Sequence, residues 1–115
     1  MSQNLDFAGR RVLVTGAGRG IGAAVALRLA EAGAAVVAFA RTRADVERVT
    51  AALPGAGHTA WAADVADEAA WLQAQAAGAL AGIDGLVTAA AVLAPVGPLG
   101  SYAPAEFWAT MRVNV

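Results

Sequence analysis

Apolar positions along this chain change their period in a repeating order. Val12-Leu13-Val14 is a short apolar run closed by Thr15-Gly16, the pattern of a strand buried on both faces. A glycine-rich turn follows. From Ile21 to Ala32 the residues Ile21, Val25, Leu29 and Ala32 recur at helical spacing, and Gly33 stands where a helix ends in left-handed backbone. Val36 to Ala40 predicts a second strand. Thr42, with Asp45 three residues on, forms a capping-box start for a helix that carries Val46, Val49 and Leu53 on one face, until Pro54-Gly55 stops it. Thr59 to Ala63 is a weaker strand, with alanines around Trp61. Asp67 is placed to cap a third helix through about Leu80, with Trp71 and Leu72 among its apolar positions and Gly78 weakening its end. Leu86 to Ala90 is the fourth strand. A loop with Pro95, Gly97, Pro98 and Gly100 then leads to a last helical segment from Pro104 to Val115, where proline suits the first turn and Glu106 favours the positive helix end.

The order is βαβαβαβ followed by the opening of a helix. Strands alternating with helices of this length imply crossovers and a doubly wound parallel sheet of the α/β class. In such a sheet the fourth strand lies beside the first, where the strand order reverses, so it should be central. Its outer edge would be bare and apolar if nothing followed Val115, which is an aggregation liability. The chain is therefore expected to be the amino-terminal part of something longer, or to need a partner surface.

Composition narrows the chemistry. The 115 residues give room for one α/β unit, residues 1–115, and exclude a two-domain enzyme. Lysine is absent, so no mechanism that needs a catalytic lysine can be complete within these residues. The net charge of -1, with arginines and acids interspersed, leaves no basic footprint for nucleic acid. No cysteine and one histidine exclude disulfides and a Cys/His metal cluster, in keeping with a reducing compartment. His58, in a loop after Gly55 and Gly57, reads as a surface residue. Apolar stretches are too short for a membrane span, and the first residues have no apolar core behind a basic start. A cytoplasmic chain is the expectation.

The chemistry concentrates in Thr15-Gly16-Ala17-Gly18-Arg19-Gly20-Ile21-Gly22, between the first strand and the first helix. Missing side chains let the backbone turn sharply and approach phosphates, and the helix start offers unpaired N–H groups to a pyrophosphate. A mononucleotide P-loop needs a lysine at the helix start, and there is none. The end of the second strand then discriminates between dinucleotides. NAD sites place an acid there for the ribose 2′-hydroxyl, whereas this chain has Ala40 followed by Arg41 and then Arg43. An arginine suits a 2′-phosphate, and near a helix start a cation is unfavourable unless an anion is close. Arg41 and Arg19 together favour NADP over NAD. Asp64 ends the third strand at the same sheet edge. It either accepts from an adenine amino group, with the Val65 backbone beside it, or caps the following helix, a role also open to Asp67.

These residues resemble the short-chain dehydrogenase/reductase family. Thr15-Gly16-x-x-x-Gly20-Ile21-Gly22 matches its spaced glycine motif. Arg41 falls where NADP-preferring members place a basic residue, Asp64-Val65 matches the adenine-side pair, and Val113-Asn114-Val115 matches the segment carrying the active-site asparagine. The resemblance implies a Rossmann-like fold and an NADP-dependent oxidoreductase that moves hydride between nicotinamide and a small-molecule carbonyl/alcohol pair. It implies that Asn114 holds a water in a proton relay, and that the full-length protein forms a homo-oligomer. The family's Asn-Asn-Ala-Gly after the fourth strand is here Thr88-Ala89-Ala90-Ala91. Ala89 loses side-chain hydrogen bonds, Ala91 replaces a glycine beside the nicotinamide ribose, and Ala90 keeps its place, so that the resemblance retains the backbone contact of this stretch. The family's serine, tyrosine and lysine lie downstream of its asparagine. Tyr102 stands in a loop without a lysine to tune it, so it is not that tyrosine, and these 115 residues alone are expected to be inactive. The alternative is a non-catalytic module that binds a nucleotide or a partner.

Overall fold

The computed structural model describes residues 6–90 and 112–113. Their elements run β1 (Arg11–Thr15), α1 (Gly20–Glu31), β2 (Ala35–Ala40), α2 (Arg43–Ala51), β3 (Thr59–Ala62), α3 (Glu68–Ala76) and β4 (Gly85–Thr88). The four strands are parallel in the order β3-β2-β1-β4. The chain thus winds outward through β2 and β3 and then crosses back to place β4 on the other side of β1. This is the doubly wound, Rossmann-like arrangement, with its reversal point between β1 and β4. The last predicted helix lies outside the described residues except for Arg112 and Val113, which are helical.

Alternation within the central strands feeds two cores. Val12, Val14, Val36, Ala38 and Ala40 join Ala26, Ala30, Val46 and Leu53 on the face that carries α1 and α2. Leu13, Val37 and Phe39 join Ala74 and Ala79 on the opposite face, where α3 packs. There Phe39 stacks on Trp71 with ring centroids 4.5 Å apart, and on Trp61 at 6.3 Å. A strand buried on both faces needs an unbroken apolar run, which is why β1 and β2 were so legible. Among the described residues β4 pairs with β1 alone, and Leu86 is 60% exposed.

Several boundaries and faces differ from the sequence expectation. The helix α1 turns Gly22, Ala26 and Ala30 inward, and Leu29 packs on their core, while Ile21 is 79% exposed. The contact stripe is thus one of small residues, since α1 approaches the glycine turn too closely for an isoleucine. The capping box at Thr42 does not form: Thr42 is the N-cap without a side-chain hydrogen bond, and Asp45 is engaged by Arg48 instead. Asp67 does cap α3, accepting from Ala69 N–H at 3.0 Å. That helix stops at Ala76 rather than Leu80, because Gly78 adopts φ +81 and lets Ala79 N–H reach back to the Ala74 carbonyl. Gly33 ends α1 in the same way, with Ala34 N–H bonded to the Leu29 carbonyl.

His58 is half-buried and structural rather than a surface residue. Val36 N–H donates to its Nδ1 at 3.0 Å, and its Nε2 lies 2.7 Å from the Pro54 carbonyl. Since β3 begins to pair only at Val37 and Thr59, the imidazole supplies the acceptor that the ladder lacks one residue earlier. Among the described residues no helix is long and apolar enough to cross a membrane.

Candidate functional site

The carboxyl ends of the parallel strands open onto a cleft of about 530 Å³. It is built by the turn after β1 (Gly16, Gly18, Arg19), the end of β2 with the start of α2 (Ala40, Arg41, Thr42, Asp45), the segment after β3 (Ala63, Val65), the residues after β4 (Ala89, Ala90) and Val113. Backbone hydrogen bonds knit these strand ends together. Ala17 N–H donates to the Phe39 carbonyl at 3.0 Å, Ala63 N–H to Ala40 at 2.8 Å, and Ala89 N–H to Thr15 at 3.2 Å.

The glycines carry different parts of the turn. Gly16 has φ +66, and a Cβ there would lie 2.5 Å from the Ala90 nitrogen, so the turn and the segment after β4 touch through bare backbone. A Cβ on Gly22 would meet the Gly16 carbonyl oxygen at 2.0 Å, which seats the first turn of α1 directly on the glycine loop. Gly18 is pressed between Ala40 and Asp45, each with its Cβ 3.1 Å from the place a Gly18 Cβ would take. Gly20 has φ +61 with open space around it. The result is a cradle whose floor is backbone.

Positive charge faces that cradle. Arg19 is the N-cap of α1, in extended backbone, and makes no side-chain cap hydrogen bond, so the first N–H groups of the helix keep their capacity for an external anion. No acid stands in the first turn of α1. Arg41 is exposed at the end of β2. Among the described residues, neither Arg19 nor Arg41 is paired with a carboxylate. The glycine floor, the helix start and two guanidiniums suit a nucleotide with a pyrophosphate and a further anionic group. Among the described residues no cluster of His, Cys, Asp or Glu fit to hold a metal is present.

Comparison with known proteins agrees with this geometry. A sequence profile described as short chain dehydrogenase matches residues 10–115. The chain belongs to the short chain dehydrogenase family. It is 40% identical over 119 aligned residues to versicolorin reductase 1 of Aspergillus parasiticus, covering 99% of this chain and 45% of that protein. It is 45% identical over 89 residues to L-xylulose reductase of Bos taurus, covering 77% of this chain and 35% of the relative. Among solved structures, a dehydrogenase/reductase from Sinorhizobium meliloti 1021 superposes with a TM-score of 0.80 at 38% identity, covering 96% of this chain and 46% of that one. The chain spans less than half the length of each of these three relatives. Short chain dehydrogenases as a family bind NAD(P).

Of the residues singled out in the sequence, Gly16, Gly18, Arg19, Arg41, Val65 and Ala90 meet in the cleft. Thr15, Gly20, Ile21 and Gly22 do not line it. Thr15 is buried in β1, and Gly22 sits behind the turn. Asp64 is exposed and beside the cleft rather than in its wall. Its Oδ1 accepts from Ala66 N–H at 2.9 Å, so the carboxylate already holds the turn after β3. Asn114 lies outside the described residues.

Thr42, Asp45, Ala63, Ala89 and Val113 were not singled out as wall residues in the sequence. Thr42 and Asp45 entered the sequence reading only as a helix start, and Ala89 and Val113 only as neighbours of motif positions; Ala63 carried no signal of its own. Two further residues act from behind the wall. Trp71 Nε1–H donates to the Val65 carbonyl at 2.8 Å and so pins the segment after β3. Arg48 donates through Nη2 to the Gly18 carbonyl at 3.1 Å and through Nη1 to Asp45 Oδ1 at 3.3 Å.

Proposed function

We propose that this chain is the nucleotide-binding part of an NADP-dependent oxidoreductase acting on a small-molecule carbonyl/alcohol pair. The observation that carries the proposal is the joining of a backbone-floored glycine turn to two guanidiniums, Arg19 and Arg41, on one cleft at the strand ends. The turn and the start of α1 hold the pyrophosphate, and Arg41 receives the 2′-phosphate, with Arg19 adding positive charge. Val65 and the turn held by Asp64 border the adenine, with Asp64 accepting from the amino group through whichever oxygen Ala66 leaves open. The backbone at Ala90 lies on the nicotinamide-ribose side. The chemistry such a cofactor supplies is hydride transfer between its nicotinamide ring and a carbonyl or alcohol carbon. Asn114 holds a water for proton relay, a role supported by Val113 lining the cleft. Versicolorin reductase 1 and L-xylulose reductase are both reductases, which favours the same reaction class here. We place the protein in the cytoplasm as a homo-oligomer.

Equilibrium titration with NADPH and NADH, followed by nucleotide fluorescence, tests this reading. The expected result is tighter binding of NADPH, with Arg41→Ala lowering NADPH affinity about 10- to 100-fold, the usual range for one charge-assisted hydrogen-bonding partner. NADH affinity should change little. Binding of neither nucleotide would remove the site, and equal loss of both in Arg41→Ala would remove its assignment to the 2′-phosphate.

A further inference from the structure

Arg48 lies outside the cleft wall, yet it touches two parts of that wall at once. Its guanidinium joins Asp45 on its own helix to the Gly18 carbonyl, thirty residues earlier in the chain. An ordinary i,i+3 ion pair on a helix surface contributes little and answers only to that helix. The hydrogen bond to Gly18 makes this one different, because it fastens α2 to the glycine turn. Asp45 is the exceptional member of the wall, a carboxylate in a cleft that otherwise presents Arg19 and Arg41. Its position is favourable for α2, since it stands in the first turn of that helix where negative charge is stabilised. For an anionic ligand in the same cleft its charge is unfavourable. Its side chain is only 23% exposed, while that of Arg48 is 64% exposed.

We infer that Arg48 is a specificity-determining positioning residue: by neutralising Asp45 from behind and tying it to the Gly18 carbonyl, it permits a 2′-phosphorylated dinucleotide to occupy this cleft. The inference rests on the NADP reading above. Arg48 does not touch the nucleotide. Its effect passes through the charge and direction of the Asp45 carboxylate and through the peptide between Gly18 and Arg19. Without Arg48, the carboxylate is unpaired beside the site of the 2′-phosphate, and the penalty falls on NADPH and not on NADH.

The test is equilibrium binding of NADPH and NADH to the complete chain and to the variants Arg48→Gln, Asp45→Asn and the double variant. Arg48→Gln should weaken NADPH about tenfold, the scale of one partly screened unit charge several ångströms from a phosphate. NADH should change by less than about twofold, and the NADPH penalty should shrink as ionic strength rises. Asp45→Asn should bind NADPH at least as tightly as the parent, and the double variant should return to within about twofold of it. Equal loss of both nucleotides in Arg48→Gln, or no recovery in the double variant, overturns the inference, because Arg48 would then act only by supporting the turn. Should Arg48→Gln not fold, Arg48→Lys loses the fork to the Gly18 carbonyl, and an equal loss of NADPH and NADH in that variant also overturns it. A parent chain that binds neither nucleotide defeats both readings. One that binds both without preference defeats the NADP reading alone, and the change of ratio in Arg48→Gln still decides this one.

Discussion

Glycine is used at Gly22 and at Gly20 for unlike reasons. At Gly22 a side chain has no room: the Gly16 carbonyl oxygen stands 2.0 Å from where its Cβ would be. At Gly20 there is room, but φ +61 is left-handed backbone that an L side chain adopts at a cost of about 1–2 kcal/mol. The two substitutions should therefore separate cleanly in urea unfolding. Gly20→Ala is expected to lose about 1 kcal/mol. Gly22→Ala is expected to lose at least about 3 kcal/mol, since backbone and not a flexible side chain must yield. The same distinction explains what could be read in advance at this scale. The glycine spacing announced a tight turn leading into a helix, because both the turn and the helix follow from local sequence. That Gly16 abuts Ala89 and Ala90 could not be read, because more than seventy residues separate them and nothing about an alanine marks its backbone as a neighbour.

The helices differ in how their starts are secured. Asp67 accepts from Ala69 N–H, whereas Thr42 makes no such bond even though both residues are N-caps in extended backbone. Asp67→Ala should cost about 1 kcal/mol of stability, and Thr42→Ala no more than a few tenths, measured by thermal or denaturant unfolding. The capping-box expectation at Thr42 failed because Asp45 has a competing partner: a guanidinium one turn on outbids a reciprocal backbone bond, and sequence spacing alone allows both. The contact face of α1 departs from its hydrophobic stripe for a related reason. Periodicity found the helix through Ile21, Val25 and Leu29, but hydrophobicity marks a contact face only where contact is made by large side chains. Here the helix meets the sheet through Gly22, Ala26 and Ala30. In α3, by contrast, the cap at Asp67 was legible and Trp71 packs on the core, but Leu72 is 59% exposed and Gly78 ends the helix where the sequence has it only weakening the last turn.

At the scale of the molecule, the parallel sheet packed on both faces followed from the alternation of short apolar runs with amphipathic segments, and the reversal at β1 put the cleft where glycine and arginine signals converge. The wall itself draws on Thr42, Asp45, Ala63, Ala89 and Val113, assembled from four stretches of chain, and that assembly is a property of the fold and not of any local pattern. Alanine makes up more than half of the buried apolar residues described. A close-packed interior of this kind has little volume to lose. Its vulnerability is to growth: Ala26→Leu, at a site with no exposure, should cost about 1–3 kcal/mol or more by forcing α1 off the sheet. Leu72→Ala, at 59% exposure, should cost less than about 1 kcal/mol in the same unfolding assay. In a saturation library scored for folded protein, intolerance should therefore track added volume at Ala26, Ala30 and Ala74, so that conventional hydrophobic-for-alanine replacements are the harmful ones. Mutational drift in such an interior is confined to residues no larger than those already there.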